Sequence, residues 1–153
     1  MKPFPPPKSP RQYLVRLLSR REYSEHELLQ KLKTRDVPEE QARDAIEFVK
    51  LHGFQSDERY AASRARTLGA RKGNKAIRRE LVSKGVDESA IEDALPELGD
   101  ELERALAAAS RFEGKLTDER ERARLWRFLV SRGFSGDVTL KVMKKLSRTA
   151  HED

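Results

Sequence analysis

The sequence predicts an all-α protein: three tandem three-helix repeats forming an elongated, curved array. Three observations carry this. Apolar residues recur at helical spacing from residue 11 to residue 146, while period-two alternation is absent and β-branched residues are sparse. Leu28, Leu32, Val37, Ala42 and Ile46 recur 49 positions later as Ile77, Leu81, Val86, Ile91 and Leu95, and a further 48 positions on as Leu125, Leu129, Phe134, Thr139 and Met143. The corner that follows the second helix of each set repeats as Thr34-Arg-Asp-Val37, Ser83-Lys-Gly-Val86 and Ser131-Arg-Gly-Phe134. Gly85 and Gly133 suit a left-handed residue after a helix; Asp36 suits it less well. A helical period near 50 means tandem units that bury one shared seam.

Composition agrees with thin helices rather than one broad core. Of 153 residues, 38% are charged and 37% hydrophobic, with a net charge of +6 that favours a polyanionic or acidic partner. Cysteine is absent, which excludes disulfides, thiolate catalysis and Cys-ligated zinc and fits a reducing cytoplasm. No run approaches the ~18 apolar residues of a membrane span. Residues 1–10 lack the apolar centre of a signal peptide.

The helices follow in order. Residues 1–10 hold five of the seven prolines and are expected to form a disordered arm. Residues 11–21 give the first helix, with Tyr13, Leu14, Leu17 and Leu18 as its apolar stripe. Ser24-Glu-His-Glu27 is a capping-box pattern that opens the second, with Leu28, Leu29 and Leu32 on one face. The third starts near Pro38, placed in its first turn, and buries Ala42, Ala45, Ile46 and Val49 before Gly53 ends it. Ser56-Asp-Glu caps a fourth helix carrying Tyr60, Ala61, Ala65 and Leu68. The fifth spans 74–84. The sixth begins at Asp87 with Ile91, Ala94 and Leu95, and Pro96 and Gly99 end it. Leu102, Ala105, Leu106, Ala109 and Phe112 mark a seventh. Thr117-Asp-Glu opens an eighth holding Leu125, Trp126, Phe128 and Leu129, and Ser135 a ninth with Val138, Val142, Met143 and Leu146. The repeats are expected at 11–55, 56–98 and 99–148, with a fraying tail at 149–153.

Catalytic and metal chemistry finds no foothold. His26, His52 and His151 have no second ligand at helical spacing. Gly69-Ala-Arg-Lys-Gly73-Asn-Lys75 fails the spacing of a phosphate loop, lacks the Ser/Thr after lysine and follows no strand. No acid sits in an apolar stretch that would raise its pKa for acid–base work. Trp126 lies at core spacing and is read as core rather than as a base-stacking platform. The expectation is therefore a non-enzymatic protein without a cofactor.

Charge is concentrated in the middle of the chain. Residues 59–84 hold nine Arg or Lys and one acid, Glu80, whereas residues 87–103 hold eight acids and no base. Ile77 and Leu81 share one face of the fifth helix, and Lys75, Arg78 and Arg79 cluster opposite. Arg71, Lys72, Lys75, Arg78 and Arg79 form the expected contact set, with Arg59 and Arg66 as outer members. Some of these cations are also placed to pair with the acids of 87–103. A helix-turn-helix protein acting directly on DNA is the rival reading; Asp87, Glu88, Glu92 and Asp93 on the sixth helix would repel a duplex.

Four stretches carry a family resemblance: Leu18-Ser-Arg-Arg-Glu-Tyr-Ser-Glu-His-Glu-Leu28, Leu51-His-Gly-Phe-Gln-Ser-Asp-Glu-Arg-Tyr-Ala61, Gly73-Asn-Lys-Ala-Ile-Arg-Arg-Glu-Leu81 and Ser131-Arg-Gly-Phe134. Taken in order, they resemble the RecX regulatory proteins of bacteria, over residues 12–146. The chain departs at Asp36, where that family often has glycine, and in its proline-rich arm. The resemblance implies a cytoplasmic, monomeric negative regulator of the RecA recombinase. Such a protein lies in the groove of the RecA–single-stranded-DNA filament and suppresses ATP hydrolysis, strand exchange and co-protease activity. It leaves open whether the basic face meets RecA, single- or double-stranded DNA, or both.

Overall fold

A computed structural model of the chain describes residues 7–152, with side chains through residue 148. Those residues form helices α1 (Pro10–Leu18), α2 (Glu25–Thr34), α3 (Glu39–Leu51), α4 (Asp57–Gly69), α5 (Asn74–Ser83), α6 (Glu88–Ala94), α7 (Glu101–Ala108), α8 (Glu119–Ser131) and α9 (Gly136–Glu152). Short 3-10 turns at Leu95–Leu98 and Ser110–Phe112 follow α6 and α7. No strand occurs among the described residues.

Caps explain where the helices start. Ser24 accepts the Glu27 amide at 3.1 Å, and the Glu27 carboxylate accepts the Ser24 amide at 3.0 Å, completing the expected capping box. Ser9, Ser56, Asp87 and Asp118 cap α1, α4, α6 and α8 with the same side-chain-to-amide bond. Several boundaries differ from the sequence reading; α7 ends at Ala108, and Phe112 falls in the 3-10 turn beyond it. Ser9 supplies a cap and Pro10 fits the first turn, so α1 opens at Pro10 inside the expected arm and ends at Leu18. Pro38 has ψ 147° and is the residue before α3 rather than part of its first turn. Helix α9 continues to Glu152, through most of the expected tail. The rest of the arm, residues 1–6, and residue 153 lie outside the described residues.

Each unit folds on its own core. In the first, Leu14, Leu28, Leu32, Ala45 and Val49 are completely buried; in the second Ala61, Ala65, Ile77, Leu81 and Ile91; in the third Ala105, Ala109, Leu125, Leu129 and Val142. Three separate clusters replace the expected continuous seam. The broadest packing in every unit joins its first and third helices, α1 to α3, α4 to α6 and α7 to α9. Of the repeat positions, only Val37 and Met143 are partly buried, and Thr139 satisfies its buried hydroxyl by donating to the Ser135 carbonyl at 2.8 Å.

The units meet through narrow joints. Between the first and second, the buried Gln55 side chain donates to the Tyr23 carbonyl at 3.2 Å and to Asp57 at 2.8 Å, and the Glu25 amide donates to Asp57 at 2.9 Å. Between the second and third, the Gly73 amide donates to the Arg132 carbonyl at 2.8 Å and the Lys75 amide to the Gly133 carbonyl at 3.1 Å. Accessible surface totals 10142 Å². A compact chain of 17.6 kDa would expose roughly 7,900 Å². Tandem units on separate cores leave long faces uncovered.

Candidate interaction surface

The basic stretch is mounted on α4, the 70–73 loop and α5. Gly69, which ends α4, and Gly73, which ends the loop, both mark close approaches. A Cβ on Gly69 would stand 3.2 Å from the Leu98 side chain, and one on Gly73 would run into the Gly133–Phe134 backbone. The loop is then pinned from the third unit. Arg104 of α7 donates to the Lys72 carbonyl at 3.0 Å and also bonds the Asn74 side chain. Burial pushes the Arg104 pKa down, against the opposing pull of Glu101 and Asp100. Sequence reading missed Arg104, because its partners lie some thirty positions upstream in another unit.

The seven expected contact residues divide into two groups. Three are committed within the chain. Arg59 pairs with Glu22 at 3.2 Å and donates to the Phe54 carbonyl at 2.9 Å. Lys72 lies 3.9 Å from Glu80, and Arg78 pairs with Glu88 of α6. Glu80 is also taken by Arg64, through bonds of 2.9 and 2.6 Å. The other four, Arg66, Arg71, Lys75 and Arg79, are exposed and make no side-chain hydrogen bond or ion pair among the described residues. Exposed pairs are worth ~0–1 kcal/mol, so the committed cations remain exchangeable, but the four free ones need no partner displaced.

Trp126 is corrected. It is 37% exposed rather than core, and lines a cleft of about 380 Å³ between α5 and α8. Leu125 and Leu129 take the core-facing stripe of α8, and Trp126 and Val130 sit one position further round. Lys75 and Arg79 form the facing wall. A larger concavity of about 870 Å³ lies in the first unit, floored by Leu29, Ala42 and Ile46, and its rim mixes acids and bases. No cluster of three or more His, Asp or Glu among the described residues is placed to hold a metal ion. No helix there is long and apolar enough to cross a membrane.

Models of the first, second and third three-helix domains of RecX match residues 11–48, 56–95 and 99–143, one per unit. The chain belongs to the RecX family. A regulatory protein RecX of Actinobacillus pleuropneumoniae is 35% identical over 129 residues, covering 82% of this chain and 84% of that protein. One from Vibrio parahaemolyticus is 40% identical over 136 residues, covering 86% and 88%. A crystal structure of a regulatory protein RecX shares 28% identity and a TM-score of 0.75, over 88% of this chain and 71% of that one. RecX from Lactobacillus salivarius, at 24% identity, shares the fold with a TM-score of 0.77 over 91% and 95%. The family resemblance read from the motifs is borne out across all three RecX units.

Proposed function

We propose that this RecX-family chain is a negative regulator of RecA that docks on the RecA–single-stranded-DNA filament and suppresses its ATP hydrolysis, strand exchange and co-protease activity. The observation that carries the reading is the set of four unpaired cations, Arg66, Arg71, Lys75 and Arg79, on one rigidly pinned stretch of a RecX-family repeat. Free cations on an ordered backbone bind an anionic partner without first breaking internal pairs. A ligand shifts a conformational equilibrium only through unequal affinity for its states. Inhibition therefore requires tighter binding to the nucleotide- and DNA-loaded filament than to free RecA, which slows the subunit changes of ATP turnover.

The helix-turn-helix rival draws less support from the second unit. Helix α6, the counterpart of a recognition helix, exposes Glu92 and Asp93 to solvent. Such a face repels duplex phosphates. The test is DNA-dependent ATP hydrolysis by purified RecA with the parent chain and with Arg66, Arg71, Lys75 and Arg79 all changed to Glu. The variant is expected to lose inhibition, and a Lys141→Glu, Lys144→Glu control to retain it. Inhibition by a folded four-fold variant at the parent's strength would sink the reading.

A further inference from the structure

We propose that the cleft between α5 and α8 binds single-stranded nucleic acid directly, with a base stacked on Trp126 and the flanking phosphates held by Lys75 and Arg79. This goes beyond filament docking, since the cleft needs no RecA to form or to bind.

Four features point there. Trp126 is a large aromatic left 37% exposed, with Val130, one turn on, 47% exposed beside it. A partly exposed Trp beside a partly exposed Val offers apolar surface to the π-face of an unpaired base. Lys75 and Arg79 line the opposite wall, and neither makes a side-chain hydrogen bond or ion pair among the described residues. They stand one turn apart on α5, about 6 Å along its axis, a spacing that serves two phosphates of one strand.

No acid lines the cleft; its remaining residues are Ala76, Ser131, Gly133, Phe134 and Gly136. Its walls are also fixed relative to each other. The Gly73 and Lys75 amides are bonded to the Arg132 and Gly133 carbonyls, and a Cβ on Gly133 would collide with Ala76. A preformed cleft lowers the ordering cost of binding. An acidic peptide would engage the two cations but gain little from the Trp126 face. A duplex keeps its base faces stacked inside and could offer only phosphate.

Trp126 is the chain's single tryptophan, so its fluorescence reports on the cleft alone. Titration with a short oligodeoxythymidine, without RecA, is expected to quench it saturably. Two phosphate contacts predict a log–log salt slope of about −1.4. Affinity for a dye-labelled oligonucleotide, read by anisotropy, is expected to fall at least about fivefold in Trp126→Ala, the loss of one base stack. Trp126→Phe should keep most of the binding, and Lys75→Glu with Arg79→Glu should lose it. Should Trp126→Ala fail to fold by circular dichroism, acrylamide quenching of the parent decides: bound oligonucleotide must shield the tryptophan. Absence of saturable quenching, no shielding, or parental affinity in a folded Trp126→Ala variant would overturn the proposal. So would equal quenching by polyglutamate, which would make the cleft an acidic-protein site, or equal affinity for duplex.

Discussion

Gly85 is seated against His26, so closely that a Cβ there would stand 2.7 Å from the His26 Cβ. The same corner one unit later brings Gly133 onto Ala76. Each second-to-third helix corner thus rests on the start of the preceding unit's second helix. The backbone there is also left-handed, with φ of 77° at Gly85 and 86° at Gly133. Asp36 occupies this corner in the first unit at φ 57° and is exposed rather than packed against another helix start. That removes one of the two demands for glycine and explains how aspartate survives.

The substitutions should separate accordingly. Gly85→Ala is expected to cost about 1–2 kcal/mol for the left-handed backbone and about 1–3 kcal/mol more for the crowding against His26. Asp36→Gly should be neutral or stabilising by up to about 1 kcal/mol, because it meets only the backbone demand. Urea unfolding of both variants checks this. Equal destabilisation would mean that the corner is not a joint.

Leu81 and Arg79 lie two residues apart on α5 and face opposite ways; Leu81 is fully buried and Arg79 exposed. Leu81→Ala is expected to cost on the order of 2–5 kcal/mol. Arg79→Ala should stay within about 0.5 kcal/mol, as for surface sites. Thermal unfolding of the two variants is the comparison, and similar losses would contradict the facing of α5.

Glu27 gives a pH signature. Burial works to raise its carboxyl, but the Ser24 amide and the Arg21 guanidinium outweigh burial and hold it below the usual carboxylate range. A carboxyl depressed in the folded state stabilises above its unfolded pKa, and that stability is lost as pH falls through the folded value. Stability should therefore decline on acidification through the carboxylate range. Glu27→Gln, which can still accept the Ser24 amide, should show a shallower decline. An unchanged acid limb in Glu27→Gln would remove Glu27 from the account.

Much of the fold is legible in the sequence for physical reasons. Helix starts are written by Ser24, Ser56, Asp87 and Asp118, whose short polar side chains cap free amides locally. Burial of Leu28, Ile77 and Leu125 follows from one periodic offset. What sequence left open depends on distance across units. Nothing local says that Arg104 reaches the Lys72 carbonyl, or that Arg78 meets Glu88 while Lys75 and Arg79 stay free. Trp126 was misread because it adjoins Leu125 on the helix surface, and hydrophobicity alone does not tell a core stripe from its neighbour. The separate cores were hidden likewise, since a repeat fixes what each unit buries but not how much is buried between units.

On the proposed function, the free cations of the second unit would seat this chain on the loaded RecA filament. The most direct measurement of this is binding to purified RecA by pull-down, with and without single-stranded DNA and a non-hydrolysed nucleotide. Three chains are compared: the parent, the Arg66→Glu, Arg71→Glu, Lys75→Glu, Arg79→Glu variant, and the Lys141→Glu, Lys144→Glu control. Parent and control are expected to be retained strongly on the loaded filament and weakly on free RecA, and the four-fold variant to be lost from both. Undiminished retention of that variant, still helical, on the loaded filament would contradict it.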